Sequence, residues 1–193
     1  MSCSDGELIR SIREGVGRDG RTLMIMPSAA FRNMSDEDVL ALVAYLRAQP
    51  AVEPDSPLKQ INLVGAIMIA TLFPPEIFSI QPPVTAPVVA PPRGPTATYG
   101  SYLIRLGCQD CHAQNLAGIP LGGEGPAAGP NLTTLPQRLS EEQFVVLLRT
   151  GTYPDGSTLG EQMPWKDLEQ LSDDDFRALY AYLASQPPLP DNK

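Results

Sequence analysis

Basic residues are scarce in this chain: 14 Lys and Arg stand against 22 Asp and Glu, a formal net charge of −8, and nowhere do they cluster. Nucleic-acid affinity rests on neutralising phosphates with Lys and Arg, so nucleic acid is excluded as a partner. Long apolar runs are also lacking. The longest, Leu63 to Phe73, covers 11 residues, where a membrane span needs about 20, so it does not cross a bilayer alone. No positively charged segment followed by an apolar one opens the chain, so as written it carries no export signal. There is no dinucleotide fingerprint, and only one histidine in 193 residues. With 42% of residues apolar and 19% charged, disorder of the whole chain is excluded.

Proline is the opposite case. Its 21 residues are roughly twice the usual share of about 5%. Six of them fall in the fifteen residues Gln81 to Pro95, which reads as an extended, semi-rigid linker. Charge divides the chain at the same place. Residues 1–57 hold nine acids and six bases, 58–95 one acid and two bases, and 96–193 twelve acids and six bases. The apolar half of the middle stretch predicts a short helix from about Leu63, ended by Pro74 and Pro75 and lying against a neighbouring domain. Insertion into a membrane surface is the alternative, although such helices usually show a Lys and Arg face that this one lacks.

The flanking parts repeat one another. Ser4 to Gly15 overlies Ser140 to Gly151, and each opens with a capping box, Ser4 with Glu7 and Ser140 with Gln143. Asp19-Gly-Arg-Thr-Leu23 matches Asp155-Gly-Ser-Thr-Leu159, and Met26-Pro27 matches Met163-Pro164. Ser35 to Pro50 overlies Ser172 to Pro187. In that last pair a serine caps the helix, and three acids sit at the positive end of its dipole. Leu42, Tyr45 and Leu46, like Leu179, Tyr182 and Leu183, share one apolar face that needs a cover. The second copy is preceded by residues 96–139, and the first by no such half.

Chemistry concentrates in Cys108-Gln109-Asp110-Cys111-His112, which has the spacing of covalent c-type haem attachment. Two thiols three positions apart reach the two vinyl groups of one porphyrin, and the adjacent imidazole ligates its iron. A redox disulfide fits poorly, because no βαβ pattern surrounds it. A structural zinc fits poorly too, because of further ligands only Cys3 and His112 remain. As His112 is the sole histidine, haem with two histidine ligands is excluded within one chain. Met163 is the only methionine after the motif and lies in a turn-rich stretch, which makes it the expected sixth ligand.

On these residues the chain resembles class I c-type cytochromes of the bacterial dihaem kind, two cytochrome c domains joined by an apolar and proline-rich linker. The resemblance implies an all-α fold. It implies a partial cytochrome c half-domain over 1–57, a linker over 58–95 and a complete cytochrome c domain over 96–193. It also implies that Gly100 lets the last helix cross the first closely, and that the Pro130 carbonyl accepts the hydrogen bond from His112. Trp165 and Tyr153 become candidates for contact near the haem propionates. The departure is the missing first half. Counting back by the repeat from Cys108 places its counterpart upstream of Met1, so Met26 should have no iron to bind. A truncated gene or fragment is one explanation. A retained pseudo-domain, docked on the intact one or completed by another chain, is the other.

The expected function is single-electron transfer by one haem c with histidine and methionine ligation, with no substrate transformed. Two alternatives stay open: a haem enzyme or gas or peroxide sensor with a displaceable Met163, and the electron-accepting subunit of a membrane dehydrogenase. Expected partners are redox proteins with a basic docking face, since residues 96–193 carry an excess of six acids. The resemblance implies a bacterial periplasmic or membrane-attached location, with membrane association through the missing N-terminal region.

Overall fold

The computed structural model describes residues 3–23, 26–50, 62–72, 80–120, 129–168 and 170–193. The fold is all-α, and among the described residues the only β pairing is two isolated bridges, Val16 with Thr22 and Thr152 with Thr158. The chain divides into two compact units, Met1–Val89 and Ala90–Lys193.

In the first unit, α1 (Asp5–Glu14) starts where the Ser4 hydroxyl accepts from the Glu7 amide and the Glu7 carboxylate accepts from the Ser4 amide. It stops at Gly15, whose φ of 70° is the left-handed turn that favours glycine. A short helix, α2 (Ser28–Phe31), leads to α3 (Asp36–Ala48), capped by Ser35. The core is small: Ile12, Val39 and Val43, with Leu8, Ile9, Phe31, Met34 and Leu42 against it. A half-buried ion pair joins α1 to α3, with the buried Arg13 donating to the Asp36 carboxylate at 2.7 Å and to the Met34 carbonyl. The apolar face expected on α3 is only half covered. Leu42 is half-buried while Tyr45 and Leu46 are 62% and 44% exposed, because α1 meets the side of α3 that carries Val39 and Val43.

Residues 81–88 are extended, as their prolines dictate, but they are a tethered strap rather than a free spacer. The Gln81 amide donates to the Glu14 carbonyl, Arg32 donates to Gln81 and Pro82, and the Asp36 amide donates to the Val88 carbonyl. The apolar stretch before them forms α4 (Leu63–Leu72). Its expected packing against a neighbour is not what is seen: Leu63, Val64, Ile67 and Met68 are all exposed. The expected stop at Pro74 and Pro75 lies outside the described residues.

The second unit begins with α5 (Ala97–Gly107), capped by Thr96, followed by the single turn α6 (Gln109–His112). After a 3-10 turn at Leu135–Gln137 come α7 (Glu141–Thr150), α8 (Trp165–Leu168) and α9 (Asp173–Ser185). Ser140 with Gln143 and Ser172 with Asp175 form capping boxes. α7 ends at Gly151 with φ 67°. The core is larger here, with Ile104, Leu147, Phe176 and Leu183 at its fully buried centre. α5 and α9 make its main crossing. A Cβ placed on Gly100 would lie 1.9 Å from the Ala178 carbonyl oxygen, so only glycine permits this approach. On α9 the Leu179 and Leu183 side chains are therefore buried, unlike Tyr45 and Leu46 of α3.

Candidate haem site

The attachment motif sits where α5 gives way to α6. Cys108 keeps a helical backbone, and its carbonyl accepts from both the Cys111 and His112 amides at 3.2 and 3.0 Å. One helical turn thus separates the two thiols, and neither is bridged. Burial pushes the Cys108 thiol up to about 12, with Cys111 adding to it, and burial likewise raises Cys111. Burial thus disfavours the thiolate at both, the reverse of the lowered pKa that a redox disulfide site uses. Among the described residues no cluster of three or more His, Cys, Asp or Glu side chains is arranged to hold a metal ion.

His112 is buried, at 5% exposure, and its Nδ1 lies 2.7 Å from the Pro130 carbonyl oxygen. A carbonyl can only accept, so Nδ1 carries the proton and Nε2 keeps its lone pair. Burial pushes the His112 pKa down, opposed by the Pro130 bond. The ring is held from behind by Gly129: a Cβ there would stand 2.5 Å from the Cys111 carbonyl oxygen and 2.8 Å from His112 Nδ1.

Met163 follows the turn after α7, its amide donating to the Gly160 carbonyl. The side chain is half-buried and packs, with Cys108, Leu132, Tyr153 and Leu159, on the same core cluster. The structure therefore brings Cys108 and Met163 to the border of one hydrophobic core and ties His112 to Pro130. Trp165 opens α8 and lies across Gly151, where a Cβ would meet its indole at 2.4 Å. Lys166 Nζ sits 5.6 Å from the Trp165 ring centroid.

Residues 95–183 match the family model described as cytochrome c oxidase, cbb3-type, subunit III. This stretch is a c-type cytochrome domain. Proteins of this kind carry covalently bound haem c. The chain is also 30% identical to the alcohol dehydrogenase (quinone) cytochrome c subunit of Gluconacetobacter polyoxogenes, over 97% of this chain and 45% of that protein. It is 31% identical to the fructose dehydrogenase cytochrome subunit of Gluconobacter japonicus, over 53% of this chain and 24% of that one. It is 35% identical to the gluconate 2-dehydrogenase cytochrome c subunit of Pantoea cypripedii, over 43% and 21% respectively. The chain thus spans less than half the length of these relatives.

Three features of the candidate site had no counterpart in the sequence. Gly129 stands beside Pro130, but its closeness to the imidazole is a tertiary fact. Ala113 and Leu116 take φ of 66° and 61°, uncommon for residues with a side chain, so the backbone leaving His112 is held in strained turns. Finally, the segment 189–192 is latched onto this loop. Asn192 donates to the Gly118 and Ala117 carbonyls and pairs with Asn115, while Asn131 donates to the Leu189 carbonyl and Asp191. Its signal was at most three asparagines far apart in the chain.

Proposed function

We propose that this chain is a single-electron carrier in which Cys108 and Cys111 bind one haem by thioether bonds and His112 Nε2 and Met163 ligate its iron. The observation that carries the reading is the buried imidazole fixed through Nδ1 by the Pro130 carbonyl, directly after two thiols one turn apart. The donor set fits haem c: two thiols for covalent attachment, an oriented nitrogen, and a soft thioether on the border of the same core as Cys108. When bound, the group supplies reversible one-electron chemistry at iron.

The chain's own residues do the rest. Pro130 fixes the tautomer and increases the donor strength of His112. Gly129 holds the ring in place, and the Asn131 and Asn192 bonds hold the loops beside it. The leucines and phenylalanines around Cys108 and Met163 keep water from the ligands. His112 and Met163 would both be committed to the iron, leaving no position on it for a substrate.

Three relatives are cytochrome subunits of dehydrogenases named for alcohol, fructose and gluconate. This favours a place as the electron-accepting subunit of such a complex, in the bacterial periplasm or at its membrane face. The partner is then a dehydrogenase catalytic subunit with a basic docking face, met by the acidic second unit. Residues 1–57 correspond to the second half of another cytochrome domain, with Met26 half-buried in the place of Met163.

The test is expression with the cytochrome c maturation machinery. Intact mass should equal the polypeptide plus one haem, and Cys108→Ala with Cys111→Ala should abolish the addition. A bare-chain mass overturns the proposal. The Met163→Ala variant should bind carbon monoxide at once in the ferrous state and the parent slowly. Equally fast binding by the parent would instead mark a haem enzyme or gas sensor with a displaceable methionine.

A further inference from the structure

α4, Leu-Val-Gly-Ala-Ile-Met-Ile-Ala-Thr-Leu from Leu63 to Leu72, plays no part in the haem site. Leu63, Val64, Ile67 and Met68 are 76, 66, 56 and 54% exposed, and Ala66 and Thr71 are exposed as well. These positions cover more than half of the helix circumference. Between Lys59 and Glu76 the sequence holds no charged residue. A helix seated in a partner's groove keeps a polar outer face for water, and α4 has none to offer. Whatever covers α4 must reach around more than half of it.

The two polar side chains of residues 62–72 are settled within the segment itself. Thr71 donates its hydroxyl to the Ile67 carbonyl at 2.9 Å. At the start of the helix, Asn62 Oδ1 accepts from the Gly65 amide at 2.8 Å, and its carbonyl accepts from the Ala66 amide at 2.9 Å. Internal satisfaction of this kind is what hydrocarbon demands of a buried segment. Length selects the depth. Ten residues rise about 15 Å, half of a hydrocarbon core about 30 Å thick, and no helix among the described residues is long and apolar enough to cross a membrane. The chain's charge of −8 makes anionic lipid an unfavourable host.

We propose that α4 inserts into one leaflet of a zwitterionic bilayer as a monotopic anchor. The test is flotation of the haem-loaded full chain with phosphatidylcholine vesicles at low and high salt. The parent should float at both, since burial of apolar side chains is not screened. An Ile67→Asp, Met68→Asp double variant should partition at least about tenfold less, with an unchanged haem spectrum showing that it is folded. Val89→Asp, at a position 84% exposed elsewhere, should float like the parent. A parent that stays with the soluble fraction overturns the proposal, as does a double variant that floats equally well. A parent that stays unfloated as an oligomer, dissolved to monomers by the same substitutions, would show that copies of the chain cover α4 instead, which also refutes lipid insertion. None of these results bears on the haem mass or on carbon monoxide binding, so the carrier reading stands or falls separately.

Discussion

Replacing Gly100 by alanine puts a methyl carbon 1.9 Å from the Ala178 carbonyl oxygen and 3.0 Å from the Tyr182 Cβ. Ordinary contact is about 3.5 Å, so α5 and α9 must separate by more than 1 Å along that line. The nearest obstacle is backbone, which no rotamer change can relieve. Overpacking of this kind costs about 1–3 kcal/mol, and with main chain as the obstacle the upper end applies. Against it stands the gain of about 0.5–1 kcal/mol from replacing a helical glycine. The net loss is about 2 kcal/mol, which for a unit of this size lowers Tm by roughly 8–16 °C. Gly107 is the control, because it lies on the same helix and a Cβ there meets nothing within 4 Å. Gly107→Ala should be neutral or slightly stabilising. Thermal unfolding of both haem-loaded variants, followed by far-ultraviolet circular dichroism and haem absorption, gives the comparison. If Gly100→Ala melts with Gly107→Ala, the close crossing of α5 and α9 is wrong.

Gly129→Ala should displace the His112 ring or its loop, costing about 1–3 kcal/mol. As the Pro130 bond weakens, the midpoint potential should rise; a voltammogram matching the parent would refute that role. The Glu7 carboxylate is held below its ordinary 4.5 by the Ser4 backbone and hydroxyl bonds. A folded-state pKa below the unfolded value gives stability that is present above 4.5 and lost as pH falls through the folded pKa. The Ser4 amide proton should therefore titrate on acidification. Glu7→Gln should remove that titration, so an unchanged pH profile by NMR would contradict the capping geometry. Electron transfer to a basic partner should slow about tenfold or more between low and high salt if the acidic second unit steers docking. A salt-independent rate removes that steering.

The parts most legible in the sequence are those whose physics is local. Serine caps at Ser4, Ser35, Ser140 and Ser172 need only the next three residues, and all four accept the expected amide. The haem motif is equally local, since its meaning lies in two thiols and an imidazole within five positions. Gly100 and Pro130 became visible only through family resemblance, because each acts on a residue far along the chain: Ala178 and His112. The exposure of α4 ran against a sound expectation, for an apolar helix normally finds protein cover. Gly129, Ala113 and the asparagine contacts were out of reach, as nothing in a short window shows which backbone another segment will touch.

The asparagine latch means that the loop around the His112 imidazole is supported from a segment far along the chain, residues 189–192. A proteolytic nick before Leu189, or a substitution at Asn192, would leave Cys108, Cys111, His112 and Met163 untouched. It would nevertheless loosen the loop around the imidazole, and the damage would be read as a drifting potential in a protein that still looks red.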